Sequence, residues 1–297
     1  MNYYLIFRTD RIGDFLLSLI LINSIKRNDD KSYITVVSSK NNYAYIKSFN
    51  IVDRVILLEN NLFSKIKLLN KLRSTYYNFV IIHDLKKRSS IISLFLRYKF
   101  KIKPNKQSDK PYIEVIKDIL IKLNFNFLIS DLDTLQNRDL ISSKNIDDDF
   151  ILFHFDEKWI FKNYISSYSD IEPSLDEFIV FINLLLTSTD KNIVITTGIN
   201  CPKTLEDFSK YNVNCRIKIY KKLNFFDLEF IVSKCKVLIS CHGFVSHIAA
   251  AHNIKQIDIL EEKKLSFYIK WTKHFRNYFQ LYRKNFLKLS NEICELL

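Results

Sequence analysis

The sequence has little glycine or proline and no long apolar run. Its 297 residues include three glycines and four prolines, where average usage is roughly 7% and 5%. Because no run of about 20 apolar residues occurs and the opening apolar run is short, we expect neither a membrane-spanning helix nor a signal peptide. The five cysteines form no C-x-x-C pair, so we expect reduced, mostly buried thiols in a cytoplasmic protein.

Two common phosphate-binding signatures are also missing. Neither G-x-G-x-x-G nor G-x-x-x-x-G-K-[ST] occurs, which disfavours NAD or FAD binding and ATP hydrolysis. The many Tyr and Phe residues lie in apolar strand and helix patterns, as core residues do, and no nucleic-acid-binding motif accompanies them. We therefore expect no nucleic acid partner, and a polyanion-binding protein remains the alternative class.

Positive charge is concentrated in the N-terminal half of the chain. Residues 1–145 contain 25 Lys and Arg against 13 Asp and Glu, a net charge of +12, whereas residues 146–297 contain 20 against 19, a net charge of +1. The bias toward Lys, Asn, Ile, Phe and Tyr is typical of an AT-rich genome, but that bias would act on both halves equally. The asymmetry favours an anionic partner for the first half, with a merely solvated basic surface as the alternative.

Short apolar runs alternate with segments of helical periodicity along the chain. YYLIF, YITVV, DRVILL and NFVIIH are typical of buried strands, and the pattern turns polar near residue 145 before restarting at FILFHF. This alternation predicts βαβ units around parallel sheets. We therefore predict an α/β protein of two Rossmann-like domains, residues 1–145 and 146–297, facing each other across a cleft. The last helix is expected to pack back on the first domain.

Each of the three glycines follows a predicted strand. Gly13 and Gly243 precede predicted helices, and Gly198 lies in a loop. Ligands of open α/β sheets bind at the carboxyl ends of the strands, where helix N-termini attract phosphate. Glycine there permits a tight turn and a close approach of the backbone to a ligand. The alternative is that all three are ordinary turns.

Several segments together resemble glycosyltransferase family 9, the ADP-heptose:lipopolysaccharide heptosyltransferases. The segments are LIFRTDRIGDFLLSLILINSIKR, VIIHDLKKRSSIISLFL, FHFDEKW, VITTGIN and LISCHGFVSHIAAAHNIKQIDIL. The resemblance covers most of the chain and is most specific in the first and last of these motifs. It implies the GT-B arrangement and an inverting, metal-independent glycosyltransferase without a cofactor. The donor would be a nucleoside-diphosphate sugar, which is ADP-linked in that family.

The resemblance also implies where the acceptor binds and which residue is the catalytic base. The N-terminal domain would take an anionic lipopolysaccharide or lipid-linked saccharide, with peripheral contact at the inner membrane face. Asp14 would deprotonate the acceptor hydroxyl, the role of a general base; alternatively it is a carboxylate that favours the helix N-terminus. Arg8, Asp10 and Arg11 flank Gly13 in the same loop and would hold it or orient acidic groups, or they are surface charges.

The donor-binding residues implied by the resemblance lie in the second half. Lys158, beside the core residue Trp159, would offset charge on the donor pyrophosphate, or it is a surface lysine. Thr196, Thr197 and Gly198 would offer hydroxyl and backbone donors to phosphate. His247 would face the phosphates or cap its helix.

The last motif departs from the family at three positions. When the segments are aligned on His247, the family's Asp falls on His242, its Ser or Thr falls on Gly243, and its usual Gly falls on Phe244. The acidic residue that normally meets the nucleotide sugar is therefore replaced. A nucleotide-activated sugar remains the expected donor, while a degenerate enzyme that binds a nucleotide sugar without turnover is the alternative.

Overall fold

The computed structural model describes the chain except residues 60, 106–108, 136, 137, 139, 141, 143–145, 147, 148, 161–170, 212 and 213. The described residues form two compact units. One comprises Met1–Thr134 with Lys270–His274, and the other comprises Leu135–Ile269 with Phe275–Leu297. The boundary predicted at residue 145 lies outside the described residues.

The first unit is a five-stranded parallel sheet in the order β3-β2-β1-β4-β5. Its strands are β1 (Asn2–Phe7), β2 (Ser32–Ser38), β3 (Arg54–Leu57), β4 (Tyr76–Ile81) and β5 (Arg97–Ile102). Its helices are α1 (Ile12–Asn28), α2 (Tyr43–Lys47), α3 (Leu62–Arg73), α4 (Lys87–Ser93) and α5 (Tyr112–Lys122). The chain order reverses at β1, which has β2 on one side and β4 on the other.

The second unit is a six-stranded parallel sheet in the order β11-β10-β9-β6-β7-β8. Its strands are β6 (Phe150–His154), β7 (Asn192–Thr196), β8 (Ile217–Tyr220), β9 (Val237–Cys241), β10 (Lys255–Leu260) and β11 (Tyr278–Tyr282). Its helices are α6 (Leu175–Ser188), α7 (Lys203–Tyr211), α8 (Phe225–Lys234), α9 (Phe244–Ala251) and α11 (Phe286–Glu295). Helix α10 (Leu265–Thr272) begins in this unit, and its residues from Lys270 onward group with the first unit. Here the reversal falls between β6 and β9.

Local sequence explains the helix that follows β1. Helix α1 is apolar around most of its circumference and is largely buried, as expected of a helix packed on several sides. Its last turn carries Lys26 and Arg27, which suit the negative end of the helix dipole. Arg27 also donates to the buried carboxylate of Asp131 at 2.8 Å. The helix is thereby fixed at its C-terminal end.

The sequence pattern missed some strands and extended one helix too far. The apolar periodicity of KRSSIISLFLRY predicts one helix over the whole segment, but α4 ends at Ser93 and Arg97 already begins β5. The segment FYIKWTKHFRNYFQLYRKNF, which we expected to pack toward the first domain as the last helix, contains the strand β11. The last helix, α11, packs on α6 inside the second unit, and only Lys270–His274 from the preceding segment group with the first unit. The two parallel α/β sheets themselves are confirmed.

Buried histidines make the stability of this fold sensitive to acid. Burial lowers the pKa of His252 to about 4, and the charge of Arg138 adds to the effect. Burial alone lowers the pKa of His274 to about 4. Between an unfolded pKa of about 6.5 and these values, the unfolded chain binds more protons, so the stability present above pH 6.5 is lost as pH falls toward 4.

We expect the free energy of unfolding to drop by about 1.4 kcal/mol per pH unit for each such histidine below pH 6.5. Urea titrations at pH 7.5 and pH 5 measure the drop. The variant His252→Asn should show a shallower pH dependence than the native chain. An identical dependence would mean that His252 is protonated as readily in the folded protein as in the unfolded one.

Candidate active site

The loops after β1 and β4 meet at the point where strand order reverses in the first sheet. In open α/β sheets this switch point is where ligands bind. The loop after β1 holds Arg8, Asp10 and Arg11, and the loop after β4 holds Asp84 and Lys86. The two loops are joined directly, because the Asp84 N–H donates to the Phe7 carbonyl at 2.9 Å.

Charged groups of these two loops pair with one another. Asp10 forms ion pairs with Lys86 and with Arg8, whose Nη1 lies 3.2 Å from Asp10 Oδ2. The Lys86 ammonium also donates to the Thr9 carbonyl at 2.8 Å. The Thr9 hydroxyl in turn donates to Asp84 at 2.6 Å. Asp10 and Asp84 thus hold the loop that precedes α1.

Arg8 is a buried residue rather than a surface charge. Only 4% of it is exposed, and its Nε donates to the Ser18 hydroxyl at 2.6 Å. Ser18 lies 2.8 Å from His83 Nδ1. Burial lowers the pKa of His83 well below its usual value, and the charge of Arg8 lowers it further. A neutral His83 therefore accepts from Ser18, and this chain fixes the guanidinium of Arg8.

The conformation at Gly13 differs from the one expected. Gly13 is the second residue of α1 and is buried, and no glycine of the chain has a positive φ. The sharp turn expected at Gly13 is therefore wrong. The chain enters the helix at Arg11, whose backbone is extended, with φ −93° and ψ 172°.

Asp14 lies in the first turn of α1 and is partly buried. Its Oδ2 accepts from the Arg11 N–H at 3.0 Å, as in a capping box. Burial raises the pKa of Tyr112, and the negative charge of Asp14 raises it further. Tyr112 packs on Trp271 with ring centroids 4.1 Å apart. The carboxylate of Asp14 therefore acts at a helix N-terminus and also lies near aromatic groups of the same unit.

The second sheet has a corresponding site where its strand order reverses, between β6 and β9. The loop after β6 contains Asp156 and Lys158, whose side chains form an ion pair. Asp156 is only 4% exposed. Burial alone would raise its pKa, but the charge of Lys158 and the hydrogen bond with His154 outweigh burial and hold the pKa far below its usual value. The pair is thus a fixed carboxylate and a fixed ammonium.

The core holds the β6 loop in place. Trp159 is fully buried, and its Nε1 donates to the His154 carbonyl at 2.9 Å. Its ring packs against Phe153 at 5.0 Å between centroids. Arg283 donates to the Lys158 carbonyl at 2.8 Å and to Cys241 Sγ at 3.2 Å. Because the residues beside Lys158 are fixed, its ammonium is directed to one place.

The Lys158 ammonium lies beside Gly243, at the start of α9. A Cβ on Gly243 would lie 2.5 Å from Lys158 Nζ, so any other residue would displace the ammonium. The backbone of Gly243 is extended, with φ −174°, and glycine is needed for this close approach rather than for an unusual turn. A lysine ammonium and a helix N-terminus therefore lie side by side, the combination that suits a phosphate group.

The carboxylate of Glu157 lies against the loop after β7. A Cβ on Gly198 would lie 2.1 Å from Glu157 Oε2, and Glu157 Oε1 accepts from the Asn200 N–H at 2.6 Å. The Thr197 hydroxyl accepts from the Lys222 N–H at 3.1 Å. Thr196 and Thr197 are both buried, and Thr196 Oγ1 lies 2.9 Å from His154 Nδ1. Both threonine hydroxyls thus hold the loop together in this structure.

A second buried carboxylate lies behind His242. Asp258 Oδ2 is 2.6 Å from His242 Nδ1, and the Tyr278 hydroxyl donates to it at 3.0 Å. Ser246 donates to Asp258 Oδ1 at 2.8 Å. His242 is therefore oriented by an acidic residue from the neighbouring strand β10. His247 packs edge-on against His242, with ring centroids 5.6 Å apart.

The sequence patterns did not identify several residues that hold these loops. They are Ser18, His83, Asp84, Lys86, His154, Asp156, Glu157, Asp258 and Arg283. HDLK and HFDEK each place a polar residue directly after a strand, which is a usable signal. Asp258 and Arg283 lie far along the chain from their partners and carry no such signal. Among the residues that the structure describes, no three His, Cys, Asp or Glu side chains come together as a metal site.

No protein-family model matches the sequence, and no curated protein matches it. Solved structures do match over the whole chain. The Escherichia coli heptosyltransferase WaaC with ADP superimposes with a TM-score of 0.72 at 13% sequence identity, covering 99% of this chain and 100% of that one. The E. coli ADP-heptose LPS heptosyltransferase II has a TM-score of 0.66 at 13% identity, covering 100% and 97%.

A glycosyltransferase of family 9 from Veillonella parvula superimposes with a TM-score of 0.67 at 13% identity, covering 99% of this chain and 91% of that one. Since identities this low show a shared fold and leave the reaction open, the comparison concerns architecture. The chain has the two-domain, parallel-sheet α/β fold of the heptosyltransferases, as its sequence motifs predicted.

Proposed function

We propose that this protein is an inverting glycosyltransferase that needs no metal ion. It moves a sugar from a nucleoside-diphosphate donor to an anionic saccharide of the cell surface, lipopolysaccharide or a lipid-linked glycan. The observation that carries the proposal is the pairing of Lys158 Nζ with Gly243 at the start of α9, in a chain whose whole length has the heptosyltransferase fold.

The donor diphosphate would bind to the second unit. Lys158 contributes a full positive charge, and the first N–H groups of α9 contribute partial positive charge at the same point. Asp156 fixes the ammonium but also cancels part of its charge. A diphosphate would therefore share the ammonium with Asp156. His242 stands where the family has an acidic residue. Its imidazole is held by the hydrogen bond with Asp258 and would orient the donor.

The acceptor would bind to the first unit, with Asp14 as the general base. The carboxylate is partly exposed at a helix N-terminus, where the loop around it is fixed by Arg8, Asp10 and Lys86. A base of this kind is effective because the hydroxyl proton becomes acidic only as the new bond forms. The net +12 of residues 1–145 supports an anionic acceptor.

The proposed transfer is a single displacement at the anomeric carbon, without a covalent intermediate. Asp14 takes the proton of the acceptor hydroxyl while that oxygen attacks the anomeric carbon, from the face opposite the diphosphate. The bond between the anomeric carbon and the diphosphate oxygen breaks, and the electron pair leaves with the diphosphate. Lys158 and the α9 N-terminus stabilise the growing negative charge, the work that a divalent ion does in other transferases.

A nucleotide-sugar-binding protein without turnover is the second candidate. Glu157 favours it, because its carboxylate already accepts the Asn200 N–H and fills the space beside Gly198. A carboxylate there repels the phosphates of a donor unless it moves away. The replacement of the family's Asp by His242 points in the same direction.

A thermal-shift series with ADP, UDP, GDP and dTDP in the presence of EDTA tests the class of ligand. We expect one nucleotide to raise the melting temperature with saturation in the micromolar range, since a ligand at 100 times its Kd stabilises by about 2.7 kcal/mol. No shift with any of the four would contradict the proposal. A shift accompanied by no release of diphosphate from the matching nucleotide sugar would favour the second candidate.

A further inference from the structure

One stretch of the first unit is basic and contains no acidic residue. Residues 85–108 contain eight Lys and Arg and no Asp or Glu. This stretch includes α4 and β5, and β5 is an edge strand of its sheet. Residues 263–291 have a similar composition, with eight Lys and Arg and no Asp or Glu, so the feature that sets residues 85–108 apart is the groove that they form.

Helix α4 and strand β5 form a groove on this surface. Leu85, Lys87, Ser90, Ile91 and Leu94 line one side, and Lys101 and Lys103 line the other, around a cavity of about 290 Å³. Positions 87, 90, 91 and 94 have the spacing of one helix face. Helix α4 thus contributes Lys87, Ser90 and Ile91 and strand β5 contributes Lys101, while Leu85, Leu94 and Lys103 come from the segments directly beside these elements.

The groove combines apolar side chains with available cationic ones. Ile91 is 47% exposed and Leu94 is 68% exposed. Lys87, Lys101 and Lys103 form no ion pair with any residue that the structure describes. Burial lowers the pKa of Lys101, and the charge of Lys103 lowers it further, so the two ammonium groups lie close enough to repel each other. Such repulsion is relieved by an anionic partner.

We propose that this groove is a docking surface for an anionic phospholipid bilayer. Lysine ammonium groups would contact lipid phosphates, while Ile91 and Leu94 enter the boundary between headgroups and acyl chains, as in other peripheral membrane surfaces. The exposed aliphatic side chains favour a lipid over a nucleic acid, which would use aromatic stacking instead. No helix among the described residues is long and apolar enough to cross a membrane.

This proposal specifies the membrane contact of the proposed glycosyltransferase, and its test is separate because vesicle binding requires no turnover. Full-length protein is floated with vesicles of phosphatidylcholine alone and with vesicles containing 30% phosphatidylglycerol. We expect binding to the anionic vesicles alone, and weaker binding at higher salt. Each Lys at an anionic surface contributes about fivefold, so the triple change Lys87→Ser, Lys101→Ser, Lys103→Ser should lower partitioning by roughly 100-fold.

The matched control removes three exposed lysines elsewhere in the same unit: Lys31→Ser, Lys40→Ser, Lys47→Ser. It changes net charge equally and should lower partitioning far less. The variant Ile91→Ser, Leu94→Ser should also weaken binding, by more than tenfold, with circular dichroism confirming that both variants fold. Equal losses in groove and control variants would overturn the proposal. So would unchanged binding of the apolar variant, which would indicate a general polyanion-binding surface.

Discussion

We expect the variant Asp14→Asn to transfer sugar about 10²–10⁴ times more slowly than the native protein, the usual cost of losing a general base. The amide has nearly the same size as the carboxylate. Its oxygen can still accept the hydrogen bond that the Arg11 N–H donates to Asp14 at 3.0 Å. The helix start is therefore kept, while the proton acceptor is lost. Steady-state transfer rates at saturating donor measure the effect.

The control for this variant is donor binding. Because the proposed diphosphate contacts are Lys158 and the α9 N-terminus, Asp14→Asn should bind the nucleoside diphosphate with unchanged Kd. Its melting temperature should also change little, since the capping contact survives. Transfer at nearly the native rate would mean that Asp14 serves only the helix N-terminus, and the assignment of the base would then have to be abandoned.

The variant Lys158→Met should bind the nucleoside diphosphate about 10–100 times more weakly, because hydrogen bonds to charged groups contribute about 1.5–3 kcal/mol. Methionine keeps much of the apolar stem but removes the ammonium beside Gly243. The change also leaves the buried carboxylate of Asp156 without its main cation. We therefore expect a loss of stability of about 3–5 kcal/mol as well.

A double variant separates these two effects. In Asp156→Asn, Lys158→Met, no buried charge is left uncompensated, so much of the stability should return while the weak nucleotide binding persists. Isothermal titration gives the affinity, and urea unfolding gives the stability. If the double variant binds nucleotide like the native protein, Lys158 has a structural role and does not contact the donor.

The parts of this fold that follow from the sequence are those with a strong local signal. The runs YYLIF and FILFHF are buried strands, and the polar residue after each strand lies at the carboxyl edge of its sheet. Local pattern does not reveal strand β5, because it is an edge strand whose alternate residues are Arg97, Lys99 and Lys101 and whose first two residues continue the helical periodicity of the preceding segment. Because β5 lies at the edge of its sheet, most of its side chains are at least partly exposed and can be basic.

The glycines show where sequence reasoning was incomplete. Their rarity drew attention to Gly198 and Gly243, and in the structure the side chains beside both glycines come from a different loop. Gly198 makes room for Glu157, and Gly243 makes room for Lys158. Two adjacent residues after β6 thus place the ends of their side chains beside two glycines that are 45 positions apart. Such a relation depends on packing between loops, and no local pattern reveals it.

At His242 the sequence alone also gave an incomplete view, in this case of the charged groups near the loop after β9. The sequence suggested that an acidic residue had been lost from the loop after β9. The structure supplies a buried carboxylate from Asp258, one strand away, at 2.6 Å from His242 Nδ1. The acidic group is therefore present behind the histidine, and the surface of the site gains an imidazole that is oriented by it.

The most direct test of the account is transfer of a labelled sugar from a nucleotide sugar to glycans of a cell-envelope extract, in the presence of EDTA. The nucleotide is the one that gives the largest thermal shift. The account predicts acceptor-dependent incorporation of label by the native protein, with at least 100-fold less by Asp14→Asn. Incorporation at equal rates by both proteins, or none by a native protein that binds the nucleotide tightly, would contradict it.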